Sequence, residues 1–107
     1  MKKRVTYKMV LARARVIVKN GWTKGAFGRT KGGTAVAATH PQAVRRCAIG
    51  ALQKARKDLG ASDSTYARAL SEIAKGVPKT APGLTSWQDY PATTKRDVLD
   101  LFDRAIE

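Results

Sequence analysis

The sequence predicts a mainly α fold: a small bundle of about four helices with a Gly-rich loop or β-hairpin insertion at 23–38. Three observations predict it. Apolar residues recur at helical spacing in four separate stretches. Capping residues precede most of these stretches, and glycine or proline follows them. Between the first two stretches lies a run with four glycines and weak strand character. At 107 residues the chain is predicted to be a single domain, 1–107.

The first helix is expected from Val5 to Lys19. Val10, Ala14, Ile17 and Val18 share one face, with Leu11 beside them, while Arg4, Lys8, Arg15 and Lys19 share another. Asn20-Gly21 supplies the stop, because glycine tolerates the left-handed conformation that ends helices. Trp22 is then expected to fold back onto the helix end. In 23–38, a hairpin turning near Lys31-Gly32-Gly33 and an irregular loop are both consistent with the residues. These glycines match neither a Walker nor a dinucleotide fingerprint, since no Gly-Lys-Ser/Thr ending and no buried strand accompany them.

The second helix is expected to begin at a capping box, Thr39 with Gln42, and to carry Pro41 in its first turn. Val44, Cys47, Ala48, Ala51, Ala55 and Leu59 form its buried stripe, opposite Arg45, Arg46, Gln53, Arg56 and Lys57. Gly60 ends it. The small residues Ala48-Ile49-Gly50-Ala51 admit a close neighbour, which makes this the expected central helix. A third helix is expected after Ser62 or Asp63, with Tyr66, Ala69, Leu70 and Ile73 inward and Gly76 and Pro78 as the stop. Residues 77–85 read as a loop, and Ser86-Trp87-Gln88-Asp89 as one capped turn. The last helix starts at Thr93 or Thr94. It turns Val98, Leu101, Phe102 and Ala105 inward and leaves Asp97, Asp100, Asp103 and Glu107 outside.

Charge is the most informative compositional feature. The net charge is +13, yet residues 1–57 hold 15 Lys/Arg and no acid, whereas residues 58–107 hold 6 Lys/Arg and all 8 acids. A segment of +15 followed by one of −2 points to a polyanionic partner or an acidic protein surface. No apolar run approaches the ~20 residues of a membrane-spanning helix. The basic start Met1-Lys2-Lys3-Arg4 leads into a stretch broken by Lys8, Arg13 and Arg15, which gives no apolar export-signal core. A lone cysteine, Cys47, forms no internal disulfide and fits a reducing cytoplasm. One histidine and one cysteine do not make a Cys/His zinc site. No cofactor and no metal is expected.

Three kinds of chemistry compete. Leu59-Gly60-Ala61 resembles the turn of a helix-turn-helix. However, Arg56 stands where a small buried residue belongs, and the following helix is poor in cations. An enzyme would draw on Cys47 or Asp89. On one helix, His40 and Cys47 would be about 10 Å apart along the axis, too far for a dyad, and no nucleophile–base–orienter set assembles. Charge-led binding asks for less: a face of Arg4, Lys8, Arg15 and Lys19, the loop cations Lys24, Arg29 and Lys31, and Arg45, Arg46, Arg56 and Lys57. With Trp22 and Phe27 flanking the loop for stacking or packing, these eleven residues are the candidate site for DNA, RNA or a nucleoprotein. The expectation is therefore a small, basic, non-catalytic, cytoplasmic binding protein.

Four segments in order resemble a known family: Gly21-Trp22-Thr23-Lys24-Gly25; 43–52 with Cys47-Ala48-Ile49-Gly50-Ala51-Leu52; Trp87-Gln88-Asp89-Tyr90-Pro91; and Asp97-Val98 through Arg104-Ala105. They are similar to a family of short, uncharacterised proteins from actinobacteria and bacteriophages, marked by Gly-Trp, Cys-x-x-Gly-Ala-Leu and Trp-Asn-Asp motifs. Gln88 stands where that pattern has Asn. The resemblance implies a compact helical domain and carries no site residues. A phage origin would also suit an inhibitor that docks on a host complex, such as a restriction or CRISPR machine, as the alternative to direct nucleic-acid binding.

Overall fold

A computed structural model describes residues 4–107; Met1, Lys2 and Lys3 of the basic start lie outside the described residues. The order is α1 (Tyr7–Asn20), β1 (Gly28–Arg29), β2 (Ala35–Val36), β3 (Arg45–Arg46), α2 (Ala48–Leu59), α3 (Asp63–Ala74), α4 (Leu84–Asp89) and α5 (Lys95–Ile106). The architecture is mainly α, with a small three-stranded antiparallel sheet. The hairpin reading of 23–38 holds: Gly28 pairs with Val36 and Arg29 with Ala35, across a turn at 31–32.

The helices form where local chemistry satisfies their ends. Thr6 Oγ1 accepts the amide of Met9 at 3.2 Å, and Ser62 Oγ that of Thr65 at 3.2 Å. At α5, Thr94 and Asp97 form a full capping box, with bonds of 3.2 and 2.9 Å. Gly60 ends α2 at φ +65°, a conformation glycine adopts without steric cost. Val10, Leu11, Ala14 and Val18 of α1 meet Ala51, Leu52 and Ala55 of α2, Ala69 and Ile73 of α3, and Val98, Leu101 and Phe102 of α5 in one core. α1 packs on α2, α3 and α5, so it shares the central position expected for the second helix.

Two expectations are corrected. The Thr39/Gln42 capping box does not start a helix: residues 38–42 form turns, and Arg45–Arg46 is a strand. Gly28 and Arg29 pair with Arg46 and Arg45, and Thr23 N donates to Arg46 O at 3.2 Å. Sheet pairing thus claims the backbone a longer helix would have used, and Val44, assigned to a buried stripe, is exposed. The helix begins at Ala48 with Cys47 as its N-cap, so His40 and Cys47 share no helix. The second correction concerns 86–89, which is the end of a short helix starting at Leu84 with no side-chain cap. The four expected helices are thus present, and the short α4 makes a fifth among the described residues.

Candidate functional site

The sheet sits where the C-terminus of α1 meets the N-terminus of α2. Gly21 makes this possible. A Cβ there would drive into the carbonyl oxygen of Val44, so only glycine lets the chain leaving α1 lie against β3. Gly50 does the same for the next layer: a Cβ would collide with the carbonyl of Phe27. The 25–28 segment is thereby pressed onto the first turn of α2.

Gln88 ties these pieces to α4. Its side chain is only 2% exposed, so every polar atom needs a partner. Oε1 accepts Trp22 Nε1–H at 2.8 Å and the Ala48 amide at 3.1 Å, while Nε2 donates to Asp89 Oδ1. Asp89 Oδ1 also accepts the Gly25 amide at 3.2 Å. The Gly-Trp segment, the Cys-x-x-Gly-Ala-Leu segment and the Trp-Gln-Asp segment therefore converge on one spot.

At that spot lies a cavity of about 550 Å³, lined by 25–27, 35–37, Cys47, Thr85 and Asp89. Its walls are mostly small and apolar. Cys47 Sγ accepts the Gly50 amide at 3.3 Å. Burial pushes its thiol up, against the lowering effect of nearby backbone amides, so the sulfur keeps its proton at neutral pH. His40 is not in the lining; its Nδ1 accepts the Gln42 amide at 3.0 Å. The only imidazole and the only thiol are thus engaged separately.

The eleven predicted cations do not form one face. Arg56 and Lys57 sit at the C-terminal end of α2, opposite the sheet. Arg56 pairs with Asp63, and its guanidinium lies 5.0 Å from the Tyr66 ring. Arg15 is held by Asp103 through two bonds of 2.6 and 3.2 Å. Arg4 is exposed ahead of α1, lining a second hollow with Tyr7, Ser64 and Arg68. Lys8, Lys19, Lys31 and Lys57 are exposed, and no side-chain bond is recorded for them among the described residues.

Lys24, Arg29, Lys31, Arg45 and Arg46 do come together. Arg29 donates to Thr23 Oγ1 at 3.0 Å, Gly33 O at 3.0 Å and Lys24 O at 3.1 Å. Arg45 reaches Thr30 O at 3.3 Å, and Arg46 reaches Ala38 O at 2.6 Å and Ala43 O at 3.3 Å. Partial burial lowers the Arg46 pKa, but an arginine remains protonated at any physiological pH. Lys24 Nζ donates to Tyr90 O and lies 5.4 Å from the Trp22 ring. All these side-chain acceptors are neutral, so the bonds fix the cations without cancelling their charge. By contrast, Arg13, Arg15, Lys54, Arg56, Arg68 and Arg96 on helices, and Lys75 at the C-cap of α3, each pair with a carboxylate.

Gln88 is the residue that sequence reasoning passed over. Its one signal was its place in a Trp-Gln-Asp segment, where the resembling pattern carries another amide. No group of His, Cys, Asp and Glu able to hold a metal occurs among the described residues, and no described helix is long and apolar enough to cross a membrane. Comparison with family models matches residues 3–107 to one described as a family of unknown function (DUF6197). No curated protein and no solved structure matches the chain.

Proposed function

This chain belongs to the DUF6197 family, a family of unknown function, and we propose that it binds nucleic acid, DNA or RNA, through the sheet end of the molecule. The observation that carries the reading is the cluster of Lys24, Arg29, Lys31, Arg45 and Arg46, none of which is paired to a carboxylate among the described residues. Guanidinium groups already fixed by backbone carbonyls lose little freedom when a phosphate arrives. Arg29 uses three of its five N–H groups and keeps two for an anion. This patch is narrower than the eleven-residue site expected from sequence: Arg15 and Arg56 pair with carboxylates of the second half, and Arg4, Lys8, Lys19 and Lys57 stand on or ahead of helices rather than on the sheet.

Such contacts would be mainly to phosphate, hence weakly dependent on sequence and strongly dependent on salt. The test is fluorescence anisotropy of labelled random single-stranded DNA, single-stranded RNA and duplex DNA at rising salt. Binding that weakens log-linearly with salt supports the reading; no binding at low salt sinks it. A second reading, docking on a host protein or nucleoprotein complex as a phage inhibitor, draws on the exposed apolar side chains Phe27 and Val44 beside the same cations. Pulldown from host lysate with and without nuclease separates the two: capture that survives nuclease favours the protein partner.

A further inference from the structure

The cavity beside the cations combines features that a phosphate-binding surface alone does not need. Its walls are Ala26, Phe27, Ala35, Val36 and Ala37, and its polar groups are Thr85, the Cys47 thiol and one carboxylate, Asp89. Phe27 lines the cavity and is 50% exposed, so its side chain is available for stacking. Of the first three amides of α2, which could have drawn an anion inward, Ala48 N is taken by Gln88 and Gly50 N by Cys47, and Ile49 N is directed at the Cys47 sulfur. With Asp89 in the lining, the negative part of a ligand is kept out of the cavity. The positive rim holds it instead: a Cβ on Gly25, itself a wall residue, would lie 3.5 Å from Arg29 Nη2.

A ligand that fits has a flat apolar body, a hydrogen-bond-donating edge for Asp89 and an anionic tail for Lys24 and Arg29. This describes a nucleotide, and the carboxylate selects among bases. Asp89 Oδ1 is already occupied by Gly25 and Gln88, while Oδ2 has no partner among the described residues and keeps two lone-pair sites. An ionised carboxylate only accepts. Guanine presents two adjacent donors, N1–H and the N2 amino group. Adenine presents an amino group flanked by ring acceptors and thymine an N–H flanked by carbonyls, so each would set an acceptor against the carboxylate; cytosine presents a single amino group with a ring acceptor on one side, one donor where guanine offers two. We infer that this cavity receives an unpaired guanine of a single strand, stacked on Phe27 and bonded to Asp89, with the strand's phosphates on Lys24 and Arg29. The inference rests on the nucleic-acid reading above and adds a base to it.

The test uses the full chain and labelled oligo-dT strands with one central dG, dA or dI. Inosine keeps N1–H and lacks the amino group, so the comparison alters the ligand and leaves the protein untouched. The expected order is dG, then dI, then dA, with dG about tenfold or more tighter than dA. Asp89→Asn should bring dG and dA within about twofold, and Phe27→Ala should weaken the dG strand about fivefold or more. Circular dichroism checks that both variants stay folded. Should Asp89→Asn not fold, the dG/dI/dA series still decides. Equal affinity for dG and dA, with oligo-dT bound, overturns the guanine pocket and leaves the surface reading standing. The same pocket is overturned if a folded Asp89→Asn retains the dG preference. If no strand binds, GMP and AMP are titrated with NMR detection. Shifts at cavity residues with GMP alone then overturn the strand as the source of the base, and silence with both overturns pocket and surface together.

Discussion

Trp22 Nε1 and Gln88 Oε1 are joined by a 2.8 Å hydrogen bond that spans 66 positions of the chain. The same oxygen takes the first amide of α2. One buried amide thus fixes the segment leaving α1, the start of α2 and the end of α4.

Replacing that amide by a hydrocarbon leaves two N–H groups without a partner. Gln88→Leu is expected to cost about 2–4 kcal/mol, from two unsatisfied donors at about 1–3 kcal/mol each with partial relaxation. The urea midpoint and the near-ultraviolet circular dichroism of Trp22 would both report it. Gln88→Asn keeps the functional group one methylene shorter and should cost less than Leu. Equal stability of wild type and Gln88→Leu would remove the clamp role.

Gly50→Ala tests the press of 25–28 onto α2. Its Cβ meets backbone, which does not yield as the tip of a side chain would. A loss of about 1–3 kcal/mol is expected. Gly83→Ala is the control, since nothing lies within 4 Å of a Cβ there and its φ of 165° is extended. Thermal melts should separate the two; parallel losses would contradict the packing described.

Asp58 is held by Lys54 at 2.7 Å and Arg13 at 3.1 Å. Burial raises its pKa, but the bonds and charges of Lys54 and Arg13 outweigh burial and leave it lowered. A carboxyl lowered in the folded state binds fewer protons there than in the unfolded chain. Its contribution is therefore present above the unfolded value, about 3.9, and fades as pH falls through the folded one. Being largely solvent-screened, it should be worth less than about 1 kcal/mol. Denaturation of wild type and Asp58→Asn across pH should show a gap at neutral pH that closes in acid; a gap that widens in acid would refute the sign.

Cys47 runs the other way. Its thiol is raised by burial, so the folded state holds the proton that the unfolded chain releases first. Stability from this group is full below the unfolded thiol value and declines as pH rises from there to the folded one. Alkylation should be slow at neutral pH and accelerate only in alkali. Serine is a good N-cap, so Cys47→Ser should fold as wild type does. Rapid alkylation at pH 7 would reopen a catalytic role for this sulfur.

Lys24→Gln with Lys31→Gln should weaken binding to any strand and reduce the salt slope by about 1.4, at about 0.7 per single-strand phosphate contact. Arg56→Gln with Lys57→Gln, at the far end of α2, should change the slope much less. Reversal of these two results would move the interface off the sheet.

The helices were readable where their signals are local. Thr94 with Asp97, Ser62, and the apolar period of α1 lie within a few residues of what they determine. Thr39 with Gln42 carries the same local signature, yet it fails, because the strand after it pairs with Gly28 and Arg29, partners that no local period encodes. Cys47 escaped notice as a cap since sulfur is a weak acceptor. The candidate site was readable as a stock of cations and not as a surface. Arg15 looks free on its helix until Asp103, 88 positions later, is folded against it.

That late pairing has an electrical consequence. The carboxylates of Asp58, Asp63, Glu72, Asp100 and Asp103 are spent on cations of the helical body, and the sheet end keeps its charge. Net charge does not distinguish the two ends, because the helical body with Lys8, Lys19 and Lys57 also stays positive. Under the proposed nucleic-acid reading, long-range attraction would therefore draw the molecule toward a strand without choosing a face, and it would fade over a Debye length of about 8–10 Å. The choice would fall at contact, where a phosphate arriving at the sheet has no ion pair to displace.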